Sequence, residues 1–109
     1  MIRIEVVVGQ GDTKAISDGL KKIHVGGITV MKVRGRGKST SPKIHAAKGT
    51  EMFTPEFSDK YVIQVIVEEK DEEAVVQIIK DNAKIGKIFI SPISRAIDIA
   101  SGAQDEKAI

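Results

Sequence analysis

Cysteine and tryptophan are absent from this 109-residue chain, and aromatic residues make up 4% of it. Without cysteine, neither disulfides nor thiolate metal sites can form. That absence fits a reducing, cytoplasmic compartment. With so few aromatics, the strands lack the stacking platforms by which a sheet reads RNA. No long apolar run opens the chain: residues 1–8 carry early charges and are too short for a signal peptide or a membrane span. Acidic residues are missing between Gly19 and Thr50, where Lys21, Lys22, Lys32, Arg34, Arg36, Lys38, Lys43 and Lys48 are all basic. Acids return at Glu51 and cluster at Glu68, Glu69, Asp71, Glu72 and Glu73. The formal net charge is only +2, so the chain has no global nucleic-acid character.

What is present is a strand–helix–strand pattern that occurs twice. Ile2, Ile4, Val6 and Val8 alternate with Arg3 and Glu5, which predicts a strand with one apolar face. After the Gly9-Gln-Gly11 turn, Asp12 is a candidate N-cap, and Ala15, Ile16, Leu20 and Ile23 fall at helical spacing. Gly19 weakens that helix by about 1 kcal/mol relative to alanine, so it marks a close packing contact. A second strand follows over about 28–33. Residues 61–67 are apolar on both faces except Gln64 and predict a central strand. Asp71 can cap a second helix, with Ala74, Val75, Ile78 and Ile79 as its buried stripe. A short strand over 87–90 ends at Ser91-Pro92. Ile97 and Ile99 predict an edge strand or a short helical turn, and the tail over about 101–109 reads as loose.

The length fits one domain over 1–109. The fold class is α+β: a ferredoxin-like βαββαβ sheet with two helices on one face. The other face, with Val62 and Ile66, is too apolar for water and implies burial by a like subunit.

Between the second and third strands lies a polar excursion over about 36–59, far longer than the median connection of about 4–6 residues. Its root, Arg34-Gly-Arg-Gly-Lys38, is basic and rich in glycine, which suits an anion. A P-loop is a poor match: position 32 is lysine where glycine is required, and Ser41-Pro42 does not open a helix well. His24 reads as a capping or surface histidine. His45 lacks further ligands at metal spacing. The acids from Glu68 to Glu73 are explained by their helix N-terminus, and no catalytic residue is assigned. Phe53 and Phe57 either anchor a partner or fold back onto the body.

Three segments carry a resemblance. Gly26-Gly-Ile-Thr-Val-Met-Lys-Val-Arg-Gly-Arg-Gly-Lys38 resembles the second strand and T-loop root of the P-II signal-transduction proteins. Lys48-Gly-Thr-Glu51 resembles the tip of that loop, and Gly86-Lys-Ile-Phe-Ile-Ser-Pro92 the C-terminal signature. The resemblance implies a homotrimer that binds an adenine nucleotide (ATP, ADP or AMP) in clefts between subunits. It implies regulation of a target protein in nitrogen and carbon metabolism, such as an ammonium transporter, through the T-loop. It implies a sensor, not a catalyst. The nucleotide-binding residues it implies are Thr29, Gly35, Arg36, Gly37, Lys38, Lys60, Gly86 and Lys87. The partner-binding residues are Lys48, Gly49, Thr50, Glu51, Met52 and Phe53. No metal ligand is implied.

The chain also departs from the family. The phosphate loop is shortened to Lys84-Ile-Gly-Lys87, and Asp98 and Ala100 replace two arginines that grip phosphates. Losing such charge-assisted contacts removes about 1.5–3 kcal/mol each. Ser39 replaces the glutamine that helps hold magnesium and 2-oxoglutarate, so neither ligand carries over. Met52 replaces the tyrosine that some members modify, and Arg36 replaces an aromatic. These departures leave two alternatives: an interaction module of the same shape without nucleotide sensing, and a metal-binding trimer of the same fold.

Overall fold

The alternation read from the first strand is the alternation that buries it. The computed structural model describes residues 1–37, 44–45, 52–53 and 56–109. Strand β1 (Ile2–Val8) turns Ile2, Ile4, Val6 and Val8 inward, and Arg3, Glu5 and Val7 to the opposite face. Helix α1 (Gln10–Lys22) and strand β2 (Thr29–Gly35) follow. Two short strands, β3 (Ile44–His45) and β4 (Met52–Phe53), pair with each other. Strand β5 (Ser58–Val67), helix α2 (Glu72–Asn82) and strand β6 (Lys87–Pro92) complete the set.

The main sheet has the order β2-β5-β1-β6, and every neighbouring pair is antiparallel. Helix α1 carries the chain from β1 across β5 to β2, and α2 carries it from β5 across β1 to β6. This is the ferredoxin-like βαββαβ arrangement, with the β3–β4 ribbon inserted between its second and third core strands. Ile63, Val65 and Val67 of β5 join the inward residues of β1 beneath Ile16 and Leu20 of α1 and Val75 and Ile79 of α2. Burying a side chain of this kind contributes about 1.5–3 kcal/mol, so the core lies wholly between the helices and one face of the sheet.

The two helices touch at Gly19. A Cβ there would lie 2.6 Å from Ile78 Cγ2, closer than packing permits. The glycine is thus explained by helix–helix contact, at the propensity cost noted above.

Several boundaries differ from the sequence expectations. Helix α1 starts at Gln10 with Gly9 as its extended N-cap, so Asp12 falls inside the first turn. Its backbone N–H donates to Gly9 O at 3.3 Å. Asp71 occupies the N-cap of α2 but makes no side-chain capping bond; its backbone is already helical. Ala74 is exposed, and Val75 and Ile79 carry the buried stripe, with Ile78 packed at its edge. Strand β2 runs on to Gly35 and β5 begins at Ser58, because the two continue to pair through Arg34↔Asp59 and Gly35↔Ser58.

Of the two expectations for Ile97 and Ile99, the structure shows the helical turn and not the edge strand: Gly102 N donates to Asp98 O at 2.9 Å. Ile97 makes a single bridge to Gln104, and the chain turns back between them. Asp98 Oδ1 accepts from Ser101 N at 2.8 Å and Ser101 Oγ at 2.9 Å, and Asp105 N donates to Ala96 O at 2.8 Å. A 3-10 turn (Asp105–Ala108) follows, and Glu106 reaches the N-terminal amine at 3.9 Å.

Replacing Gly19 by leucine forces α1 and α2 apart. Gly19→Leu is expected to lower unfolding free energy by about 1–3 kcal/mol, read as a lower denaturant midpoint at unchanged slope. An unchanged midpoint contradicts the contact. The bonds from Ser101 also hold the Asp98 carboxyl below its ordinary value of 3.8, first through the backbone N–H and then the hydroxyl. The turn's contribution is therefore complete above that value and fades as pH falls through the lowered one. A carbon-detected NMR titration is expected to place the Asp98 midpoint below 3.8; a midpoint at or above it contradicts the bonded turn.

Candidate functional site

Two clefts open at opposite ends of the bare sheet face. At the end where β1 and β2 finish and β5 and β6 begin, a cleft of about 1080 Å³ collects Gly35, Arg36, Gly37, Lys60, Gly86 and Lys87. These six expected residues come from three separate segments, so the fold alone brings them together. The volume lies at the upper end of ligand sites, about 300–1,000 Å³. Lys84, the first residue of the shortened phosphate loop, adds charge, and so does Lys80 from the last turn of α2, which the sequence reading did not assign to a site. The signal for Lys80 was faint: it reads as one more lysine on an exposed helix end.

The electrostatics of this cleft favour an anion. Arg36, Lys60, Lys80, Lys84 and Lys87 line it against Asp12 and Asp81. Among the described residues the four lysines make no ion pair. Gln77 Nε2 donates to Asp81 Oδ1 at 2.7 Å. The N-terminus of α1 adds the positive end of a helix dipole, while the C-terminus of α2 adds a negative end that Lys80 and Lys84 offset.

Gly86 shapes the wall. Its φ of +144° lies where residues with a Cβ are strained, and a Cβ there would stand 2.4 Å from Val7 O. The close approach lets the turn into β6 pack directly on β1. It sets Lys87, register partner of Val7, on the same sheet face.

The rim of the cleft meets the excursion. The Arg36 guanidinium donates to the Glu56 carboxylate and lies 5.9 Å from the centre of the Phe57 ring. Phe57 thus meets the root of the excursion while still exposed. Asp59 takes Lys32 at 3.5 Å and Arg34 at 4.0 Å. Lys38, Lys48, Gly49, Thr50 and Glu51 lie outside the described residues, as does Ser39. Met52 and Phe53 form β4 opposite His45 and Ile44.

Thr29 is not in the basic cleft. It lies six residues away at the start of β2, roughly 20 Å along the strand. There it lines a second cleft of about 380 Å³ with His24, Gly26, Gly27, Gln64 and Glu68. Asp71 and Glu106 add to its acids, and among the described residues no lysine or arginine lines it. His24 has the positive φ of 66° that ends α1, its N–H donating to Lys21 O at 3.1 Å. Among the described residues no group of three or more His, Asp or Glu is placed to hold a metal.

An antiparallel ferredoxin-like sheet with a basic cleft at the root of a long excursion defines a small α+β domain suited to binding an anion. Residues 1–103 match the family model described as "Nitrogen regulatory protein P-II", and the chain belongs to that family. It is 30% identical over 114 residues to "Nitrogen regulatory protein P-II" of Synechocystis sp., with all of both chains covered. It is 31% identical over 112 residues to "Nitrogen regulatory protein P-II homolog" of Arabidopsis thaliana and 32% identical to that of Oryza sativa. The match takes in 97% of this chain in both cases, but only 56% and 52% of the plant proteins, so the chain spans about half their length. The family is one of signal-transduction regulators.

Gly86→Ala is expected to destabilise the chain by about 1–3 kcal/mol, since both strain and overlap with Val7 O must be relieved. Gly9→Ala, with open space around its Cβ, is the control. Equal thermal midpoints for the two variants contradict the close approach.

Proposed function

We propose that the protein is a nucleotide-dependent regulator whose binding site is completed only when copies assemble head to tail. One observation carries this reading. Thr29 and the six residues around Lys87 stand at opposite ends of the sheet, in clefts that open on the same bare face. A single chain cannot bring them to one ligand. A ring of like copies sets the Thr29 end of one against the Lys87 end of the next, and a homotrimer is the ring the family resemblance implies. In that arrangement Gly35, Gly37 and Gly86 offer backbone approach to phosphates, and Lys60 and Lys87, with Lys38 from the loop root, supply charge. Thr29 meets the base.

Arg36 links the ligand to the excursion. A phosphate entering the cleft competes with Glu56 for the guanidinium, and that exchange alters the base of the segment bearing Lys48 to Phe53. A target protein docking there reads the change. The target is a partner in nitrogen metabolism, with an ammonium transporter as one candidate. The protein acts by binding, in the cytoplasm, and not by catalysis. No helix among the described residues is long and apolar enough to cross a membrane.

A second reading is a module that docks without sensing. Ala100 and the acid at Asp98 favour it, because neither can grip a phosphate. A pull-down capturing the same target equally with and without nucleotide selects this reading.

Calorimetry against ATP, ADP, AMP and cyclic AMP tests the first. At least one is expected to bind. Lys87→Ala is expected to weaken that binding about tenfold or more, since a charge-assisted contact contributes about 1.5–3 kcal/mol. No heat with any of the four contradicts the nucleotide reading.

A further inference from the structure

In the middle of the bare sheet face, away from the lysines at its end, two charges make no ion pair among the described residues. Arg3 and Glu5 sit two residues apart on β1, about 7 Å along a central strand. Their register neighbours on that face are Ile66 and Ser91 for Arg3, and Gln64 and Phe89 for Glu5. Val7, Val62 and Met31 extend the surroundings with apolar surface. Both charged side chains are half-buried already. Neither is within 4.0 Å of an opposite charge among the described residues. Arg3 Nε is buried and has no hydrogen-bond partner among the described residues. A covered face that leaves such groups unpaired is costly, because a desolvated charge needs a counter-charge.

We infer that Arg3 of one copy pairs with Glu5 of the next, so that three copies close a ring of alternating charges which fixes their register on this face. The occupant of the face is therefore a second copy of this chain. Two kinds of complementarity argue for it. The ends of the sheet are of opposite sign, with Glu68, Asp71 and Glu106 at one and Lys60, Lys84 and Lys87 at the other. In the middle, the strand carries one charge of each sign at a spacing that a neighbouring β1 can match. An apolar partner would satisfy Val62, Met31 and Phe89 but would strand both charges. The inference rests on the head-to-tail assembly proposed above and adds what determines its register.

The test is sedimentation velocity on the full chain over a concentration series, with circular dichroism to confirm folding. Arg3→Glu and Glu5→Arg are each expected to move the assembly midpoint to roughly 100-fold higher concentration or more, since each places like charges together in a desolvated site. The exchanged double variant Arg3→Glu/Glu5→Arg is expected to return close to wild type, because the pair is restored with its polarity reversed. Single variants that assemble like wild type overturn the inference, as does an exchanged double variant no better than the singles. Where the reversals fail to fold, the neutral series decides. Arg3→Gln/Glu5→Gln is expected to assemble better than either neutral single variant, and an equal or poorer double overturns the pairing. A wild-type chain that stays monomeric throughout removes the assembly itself and this inference with it. An assembled wild type indifferent to these charges removes only the pairing.

Discussion

Strand β1 has two faces with different tasks, and the structure depends on keeping them apart. Ile2, Ile4, Val6 and Val8 anchor both helices to the sheet, and Arg3, Glu5 and Val7 face away. Because side chains alternate with a period of two, a one-residue slip would place arginine and glutamate in the core. Pairing on both sides, to β5 and to β6, makes that slip impossible without breaking two ladders at once. The Gly86 turn holds the end of β1 from above, so the strand that organises the core also floors the basic cleft.

Function in this fold is a matter of what the sheet leaves unfinished. The helices cover one face only, and the charges of the two open clefts are of opposite sign. In the proposed reading each cleft holds part of a nucleotide site: glycines and lysines at one end, Thr29 and a backbone turn at the other. Association is then part of recognition. The Arg36–Glu56 contact places the root of the excursion at the edge of the same cleft, so a ligand and a partner protein can be coupled over a short distance.

Much of this was legible in the sequence. The strand periods, both helices, the central place of residues 61–67, the packing role of Gly19 and the grouping of Gly35, Gly37, Lys60 and Lys87 follow from pattern and resemblance. Local boundaries were less so, for identifiable reasons. Asp12 has the composition of an N-cap, but the extended backbone at Gly9 starts the helix two residues earlier. Composition left Ile97 and Ile99 open between an edge strand and a short helical turn, and the Asp98–Ser101 bonds select the turn. Lys80 joins the cleft only because α2 ends above it, which no linear pattern encodes. The separation of Thr29 from its expected companions is a consequence of strand length, and it becomes visible only in three dimensions.

Asp98 is held by its own turn and Ala100 has no charge, so the proposed phosphate recognition rests on the lysine-rich end. The account stands or falls on whether copies of this chain join to complete a nucleotide site. Native mass spectrometry of the intact protein, with and without ATP, reads both at once. The account predicts particles of three chains that take up as many as three nucleotides, with none on the single chain. A single chain that binds nucleotide alone, or a trimer that never binds one, contradicts it.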